Sequence, residues 1–227
     1  MTCAVIVAGG EGTRIQSQIP KQYLTINGRQ VLSFSVDTFL EHPMINKVIL
    51  VVSLHYARQV KKNYPGCHVV LGGKTRQASS TNGVNAVPPG TEKVLVHDAA
   101  RPFVTHQMIT ECVESLDECD GAVPILTPDN TMIMLNNGTL AYLDRQKVKA
   151  VQTPQGFRNG ILTKAQRSGF ETTDELGLVL LSSPKAKIHL FAGDDRNFKI
   201  TTPLNLELAS IMATQWNSRE NFQDLKY

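Results

Sequence analysis

Six short runs of apolar and β-branched residues punctuate the chain: Ala4–Ala8, Lys47–Val52, His68–Leu71, Val94–His97, Ala122–Leu126 and Ile188–Ala192. Each has the length of a strand, and amphipathic stretches lie between them. That alternation predicts an α/β fold, a largely parallel sheet flanked by helices. Helices are expected near Val31–Leu40, Tyr56–Asn63, Arg76–Ala86, Gln107–Cys119 and Asn159–Arg167. A last one should start at Thr202-Pro203, a cap followed by proline at the first helical position, and run toward Trp216. Right-handed crossovers then put the binding crevice outside the carboxyl ends of the strands. The polar tail Asn217–Tyr227 is expected to fray.

The first strand empties into Ala8-Gly9-Gly10-Glu11-Gly12-Thr13-Arg14, followed by Pro20-Lys21-Gln22-Tyr23-Leu24. Glycines let the backbone turn tightly so that N–H groups face phosphate oxygens, and two cations offset the remaining charge. The loop is neither a P-loop, which needs Lys-Ser or Lys-Thr directly after its last glycine, nor a G-x-G-x-x-G dinucleotide turn. Nucleotide polyphosphate binding is the first expectation, against a plain strand-to-helix turn.

At 227 residues the chain has room for one sizeable α/β domain, taken as residues 1–227. A net charge of +3, from 23 basic and 20 acidic side chains, argues against a nucleic-acid partner. Cys3, Cys67, Cys112 and Cys119 lack C-x-x-C spacing and are read as small buried apolar residues. Strand-sized apolar runs and an N-terminus leading straight into a strand predict no signal peptide or membrane span, hence the cytoplasm.

Between Thr127 and Val151 the rhythm breaks. Thr131–Leu135 and Leu140–Leu143 flank Asn136-Asn137-Gly138, a hairpin signal. A lone hairpin is marginal in water, so this arm packs on its own domain or reaches a second subunit.

A second chemical cluster is Val96-His97-Asp98-Ala99-Ala100-Arg101, where a buried strand ends in an aspartate beside the glycine loop. A carboxylate there could hold Mg²⁺ against nucleotide phosphates, or simply cap a turn. His97 reads as a structural histidine, and Arg101 as a phosphate ligand or a brace for Asp98. Gly72-Gly73-Lys74-Thr75-Arg76-Gln77-Ala78-Ser79 repeats the glycine-then-helix logic and could close over base and ribose. Arg145, Thr173-Asp174-Glu175 and Lys199 matter only if the fold converges them.

Together these motifs resemble the polyol-phosphate cytidylyltransferases, specifically the 2-C-methyl-D-erythritol 4-phosphate cytidylyltransferase family. The resemblance runs from Val5 to about Ala209 and adds Asp144-Arg145, Thr153-Pro154-Gln155-Gly156-Phe157 and Asn197-Phe198-Lys199-Ile200-Thr201-Thr202-Pro203 in the family's order. It implies a Rossmann-like, nucleotide-diphospho-sugar-transferase fold with a protruding β-arm. It implies that Arg14 and Lys21 contact CTP phosphates and stabilise the transition state, with Ala8, Gly9, Gly10, Gly12 and Thr13 forming the cradle. Asp98 matches the magnesium-associated aspartate. Gly73, Arg76, Ser79 and Ala99 fall where cytidine binds. Arg145 and Lys199 match cations for the acceptor phosphate, with Arg101, Thr131 and Thr173 on the same substrate. The family's homodimer, in which each arm completes the neighbour's site, would explain the hairpin.

Two departures bear on the acceptor. Val7-Ala8-Gly9-Gly10 replaces the common Pro-Ala-Ala-Gly, a form seen in the related ribitol 5-phosphate cytidylyltransferases, and Asn130 and Ile133 replace the usual arm aspartate and lysine. Methylerythritol phosphate is the expected acceptor, ribitol 5-phosphate the alternative. A nucleotide-binding regulatory protein without catalysis is the reading from another class; the presence of Arg14, Lys21, Asp98, Arg145 and Lys199 argues against it.

Overall fold

The computed structural model describes residues 1–10 and 19–216. Gly12, Thr13 and Arg14 of the opening loop, and the tail expected to fray, lie outside the described residues. In chain order the elements are β1 (Thr2–Ala8), β2 (Thr25–Ile26), β3 (Arg29–Gln30), α1 (Val31–Glu41), β4 (Lys47–Val52), α2 (Leu54–Asn63), β5 (His68–Leu71), α3 (Arg76–Asn85), β6 (Lys93–Asp98) and α4 (His106–Ser115). There follow β7 (Gly121–Leu126), β8 (Met132–Asn136), β9 (Thr139–Leu143), β10 (Ala150–Val151), β11 (Gln155–Arg158), α5 (Asn159–Gln166), α6 (Glu175–Ser182), β12 (Ile188–Ala192) and α7 (Pro203–Trp216).

The main sheet has the order β10-β7-β11-β6-β1-β4-β5, with β12 also paired to β7. β1 lies parallel to β4 and β6 at its centre. Its side chains alternate between two cores. Ala4, Ile6 and Ala8 join Leu32, Val36, Phe39 and Leu50 on one face. Cys3, Val5 and Val7 join Val84, Phe157, Leu162 and Val179 on the other. Both faces are therefore covered, as near-continuous apolar strands require. Gly83 in α3 allows the second layer to approach: a Cβ there would lie 2.4 Å from Val5 Cγ1 and 2.7 Å from Val51 Cγ2. A third cluster, with Phe34, Phe103 and Ile200, seats α7 through Ala209 and Ala213.

All six expected strands are present. The expected N-cap of α7 forms, with Thr202 Oγ1 accepting from Asn205 N at 3.2 Å. β11 and α6 were not foreseen. β11 is short, has only Phe157 as a large apolar residue, and runs antiparallel between β6 and β7. α6 starts where Asp174 Oδ1 accepts from Gly177 N at 3.0 Å, and its eight residues are too short a run to show a helical period in the sequence.

The hairpin forms as expected. β8 and β9 make a separate two-stranded sheet. Asn137 at φ 47° and Gly138 at φ 82° take the left-handed turn that the Asn-Gly pair favours. Ile133, Leu135, Leu140 and Tyr142 on it are exposed. Among the described residues, no helix is long and apolar enough to cross a membrane.

Candidate functional site

The register of the central strands brings the two chemical clusters together. Val7 pairs with Asp98 across β1 and β6, and Ala99 N donates to Val7 O at 3.1 Å. Ala8, Gly9 and Gly10 thus leave the sheet beside Asp98 and the buried Ala99. The second glycine turn reaches the same edge, since Gly72 N donates to Val52 O at 2.8 Å, at the end of β4. The two turns touch: a Cβ built on Gly9 would lie 3.4 Å from Gly72 Cα and 3.1 Å from Ser79 Oγ. Ser79 Oγ accepts from Gly73 N at 3.0 Å and donates to Thr75 O at 2.9 Å, which orders that turn.

Asp98 is buried among cations. Its Oδ1 accepts from Arg76 Nε at 2.9 Å and its Oδ2 from Lys199 Nζ at 2.7 Å. Burial opposes its ionisation, but Arg76 and Lys199 outweigh burial and hold the carboxyl well below the usual carboxylate range. Arg76 continues the network to Glu175, donating to Oε1 at 2.9 Å and Oε2 at 3.0 Å. Burial works against its charge as well, and the two carboxylates more than compensate.

The backbone of Asp98 is fixed by a proton-ordered chain. His97 Nε2 lies 3.0 Å from Arg101 O, a pure acceptor, so that nitrogen carries the hydrogen. Nδ1 then accepts from Thr153 Oγ1 at 3.0 Å, and Oγ1 accepts from Asp98 N at 3.1 Å. Burial lowers the imidazole to about 4, which keeps this arrangement neutral. His97 is structural, as expected.

Arg101 donates to Asn197 O at 2.8 Å and Val151 O at 3.5 Å, so its hydrogen bonds brace backbone rather than Asp98. Lys21 opens a 3-10 turn, Lys21–Tyr23, directly after Pro20. The next residue, Gln22, donates to both Ala8 O and Gly10 O at 2.7 Å. Thr173 precedes the α6 cap, two residues before Glu175. Thr131 and Arg145 sit at the base of the arm, where Arg145 Nη1 donates to Asp129 O. Among the described residues, no hydrogen bond or ion pair joins either one to the Asp98 cluster.

As a magnesium ligand Asp98 fits in one way. It is a hard oxygen donor with one lone pair free on each oxygen, and Mg²⁺ commonly takes one carboxylate with phosphates and water. Among the described residues no group of three or more His, Cys, Asp or Glu side chains could hold a metal without such help. Glu175 was named only within Thr173-Asp174-Glu175, without a role, and Gln22 was not among the sequence candidates. Their signals were an acidic residue heading an apolar helical run and an amide between the turn lysine and a buried tyrosine.

Residues 2–215 match the family described as 2-C-methyl-D-erythritol 4-phosphate cytidylyltransferase. The chain belongs to this family. The cytidylyltransferase of that name from Thermotoga neapolitana is 33% identical over 95% of this chain and 98% of its own length. A solved 4-diphosphocytidyl-2C-methyl-D-erythritol synthase from Anaerococcus prevotii shares the cytidylyltransferase fold, with a TM-score of 0.86 at 24% identity over 94% of this chain and 96% of that one. A bifunctional ribulose 5-phosphate reductase/CDP-ribitol pyrophosphorylase from Haemophilus influenzae is 29% identical over 96% of this chain and 48% of its own length.

Proposed function

We propose that this cytidylyltransferase moves CMP from CTP to 2-C-methyl-D-erythritol 4-phosphate, yielding CDP-methylerythritol and pyrophosphate for isoprenoid precursor synthesis. The observation that carries the reading is the cation-flanked Asp98 at the carboxyl edge of the sheet, beside Gly9 and Gly10 and within a chain matched by the family from residue 2 to 215.

The acceptor's phosphate monoester is anionic near neutral pH and needs no strong general base. One of its oxygens attacks the α-phosphorus in line; the new P–O bond forms as the bond to the bridging oxygen breaks, and that electron pair leaves with pyrophosphate. The obstacle is the meeting of two polyanions. Arg14 and Lys21 neutralise the α-phosphate and leaving group, with Ala8, Gly9, Gly10, Gly12 and Thr13 as the residues that bind the phosphates. Lys199 need not release Asp98 to bind the acceptor phosphate, since an ammonium has three donors and one suffices for the carboxylate. Gly73, Arg76, Ser79 and Ala99 form the cytidine side, and Arg101 and Thr173 line the acceptor side. Mg²⁺, held by Asp98 together with the nucleotide phosphates, would supply further charge neutralisation.

The chain acts as one domain, residues 1–227, in the cytoplasm and without nucleic acid or membrane. It works as a homodimer in which the arm, residues 127–151, carries Thr131 and Arg145 to the partner's acceptor site. The exposed apolar side chains of a hairpin too small to stand alone support that pairing.

Ribitol 5-phosphate is the second reading, favoured by Gly9 and by the Haemophilus influenzae relative. Pyrophosphate release from CTP and Mg²⁺ with each acceptor decides: faster release with methylerythritol phosphate is expected, preference for ribitol 5-phosphate reverses the assignment, and silence with both removes the transferase reading.

A further inference from the structure

Gln22 follows the turn lysine, is 3% exposed, and spends its carboxamide on the first turn of the glycine loop. The two hydrogens of one –NH₂ go to two carbonyl oxygens, Ala8 O and Gly10 O, each 2.7 Å away. Tyr23 Oη adds a second donor to Ala8 O at 3.2 Å. The anchor behind these donors is rigid. Tyr23 N donates to Pro20 O at 2.8 Å, and the Tyr23 ring, buried in the core, stacks on Tyr56 with centroids 3.7 Å apart.

The consequence for the loop is directional. A peptide unit is planar, so its N–H points opposite to its C=O. With Ala8 O drawn onto Gln22 and Tyr23, the Gly9 N–H of the same peptide faces away from them, and Gly10 O is held by the same Gln22 amide. Two adjacent glycines would otherwise sample many such orientations, at an entropic cost to any ligand that had to select one. A buried amide that fixes them in advance removes that cost before binding.

We infer that Gln22 is the positioning residue of the nucleotide-phosphate cradle, coupling the turn that carries Lys21 to the backbone of Ala8–Gly10 and thereby setting affinity for the nucleoside triphosphate. The inference rests on the cytidylyltransferase reading above. It concerns nucleotide binding and leaves acceptor binding untouched, because among the described residues no hydrogen bond of Gln22 leads toward Lys199 or the arm.

The test compares wild type with Gln22→Met, which keeps the length and loses both donors, and Gln22→Glu, which replaces them with a carboxylate facing two carbonyls. Steady-state pyrophosphate release gives KM for CTP and for the acceptor, and calorimetry gives the CTP Kd without turnover. Two lost hydrogen bonds should raise KM and Kd for CTP roughly 10- to 100-fold in Gln22→Met, with the acceptor KM within twofold of wild type. Gln22→Glu should be weaker still at pH 8 and recover partly toward pH 6, as a protonated carboxyl regains one donor; wild type should not show that recovery. Unchanged CTP constants in Gln22→Met overturn the inference, as does an equal rise in both KM values. If Gln22→Met does not fold, a Gln22→Glu protein lacking the pH-dependent recovery of CTP binding overturns it too. Inactivity of the wild type with both acceptors would instead remove the functional reading, a result independent of the two variants.

Discussion

Glu175 and Arg76 form a two-point ion pair, 2.9 and 3.0 Å long, with the carboxylate only 1% exposed. Arg76 carries this anchoring on to Asp98, so a residue on α6 sets the position of a carboxylate at the end of β6. Breaking a buried pair on one side leaves the other charge uncompensated, which costs about 3–5 kcal/mol. Asp98 still compensates part of the Arg76 charge, so Glu175→Ala should lose about 3 kcal/mol in urea unfolding. A midpoint equal to wild type would show that the pair contributes nothing.

Acid should weaken the protein in two windows. Burial lowers His97 to about 4, whereas an unfolded histidine titrates near ~6.5. Between those values the unfolded chain binds the extra proton, so stability is whole above ~6.5 and falls by about 3 kcal/mol on the way down to pH 4. His42, lowered mainly by its own burial, acts in the same sense. Asp98 is depressed instead by Arg76 and Lys199 against the opposing effect of burial, so its contribution is complete above an unfolded value near ~3.9 and is lost only below it. Urea titrations from pH 8 to pH 3 should show both windows, and His97→Gln should flatten the upper one. A wild-type profile level from pH 7 to pH 4 would contradict a neutral buried His97.

Arg14→Ala and Lys21→Ala should each reduce kcat by two or more orders of magnitude, as expected when a donor to a developing charge is removed. Circular dichroism should find both variants folded. Near-normal turnover in both would detach the opening loop from the chemistry.

Gly9→Ala, which restores the commoner family residue, should be tolerated at a small cost. Its Cβ would sit 3.1 Å from Ser79 Oγ, so the hydroxyl must shift by a few tenths of an ångström. The expected loss is about 1 kcal/mol, with a few-fold rise in KM for CTP. Ser79→Ala in the same chain should give back the packing part of that loss, measured as non-additivity in a double-mutant cycle. Strict additivity would mean that the two glycine turns do not press on each other through Ser79.

The sheet was legible because β1, β4 and β6 are apolar on both faces, a pattern that only a doubly covered parallel sheet satisfies. The hairpin was legible because Asn137-Gly138 meets the positive φ its turn demands. β11 was not, since a four-residue strand with a single large apolar side chain has no periodicity to read, and its place between β6 and β7 depends on pairing across the chain. In the candidate site, glycine turns and strand-end charges announced themselves through local chemistry. Glu175 and Gln22 did not, because their role consists of partners 99 and up to 14 residues away.

From residue order alone came the fold class, the family resemblance and the expectation that the opening loop holds phosphate through Arg14 and Lys21, all of which rest on local period and residue type. Which charges neutralise which was settled in three dimensions. Lys199 stands 101 positions from Asp98 and Arg76 stands 22 away, yet both close on one carboxylate. Parallel register set the Val7–Asp98 pairing that puts the glycine loop beside it. Ion pairing at a distance depends on where separate elements meet, and burial makes that meeting energetically decisive; neither quantity is a property of any one segment.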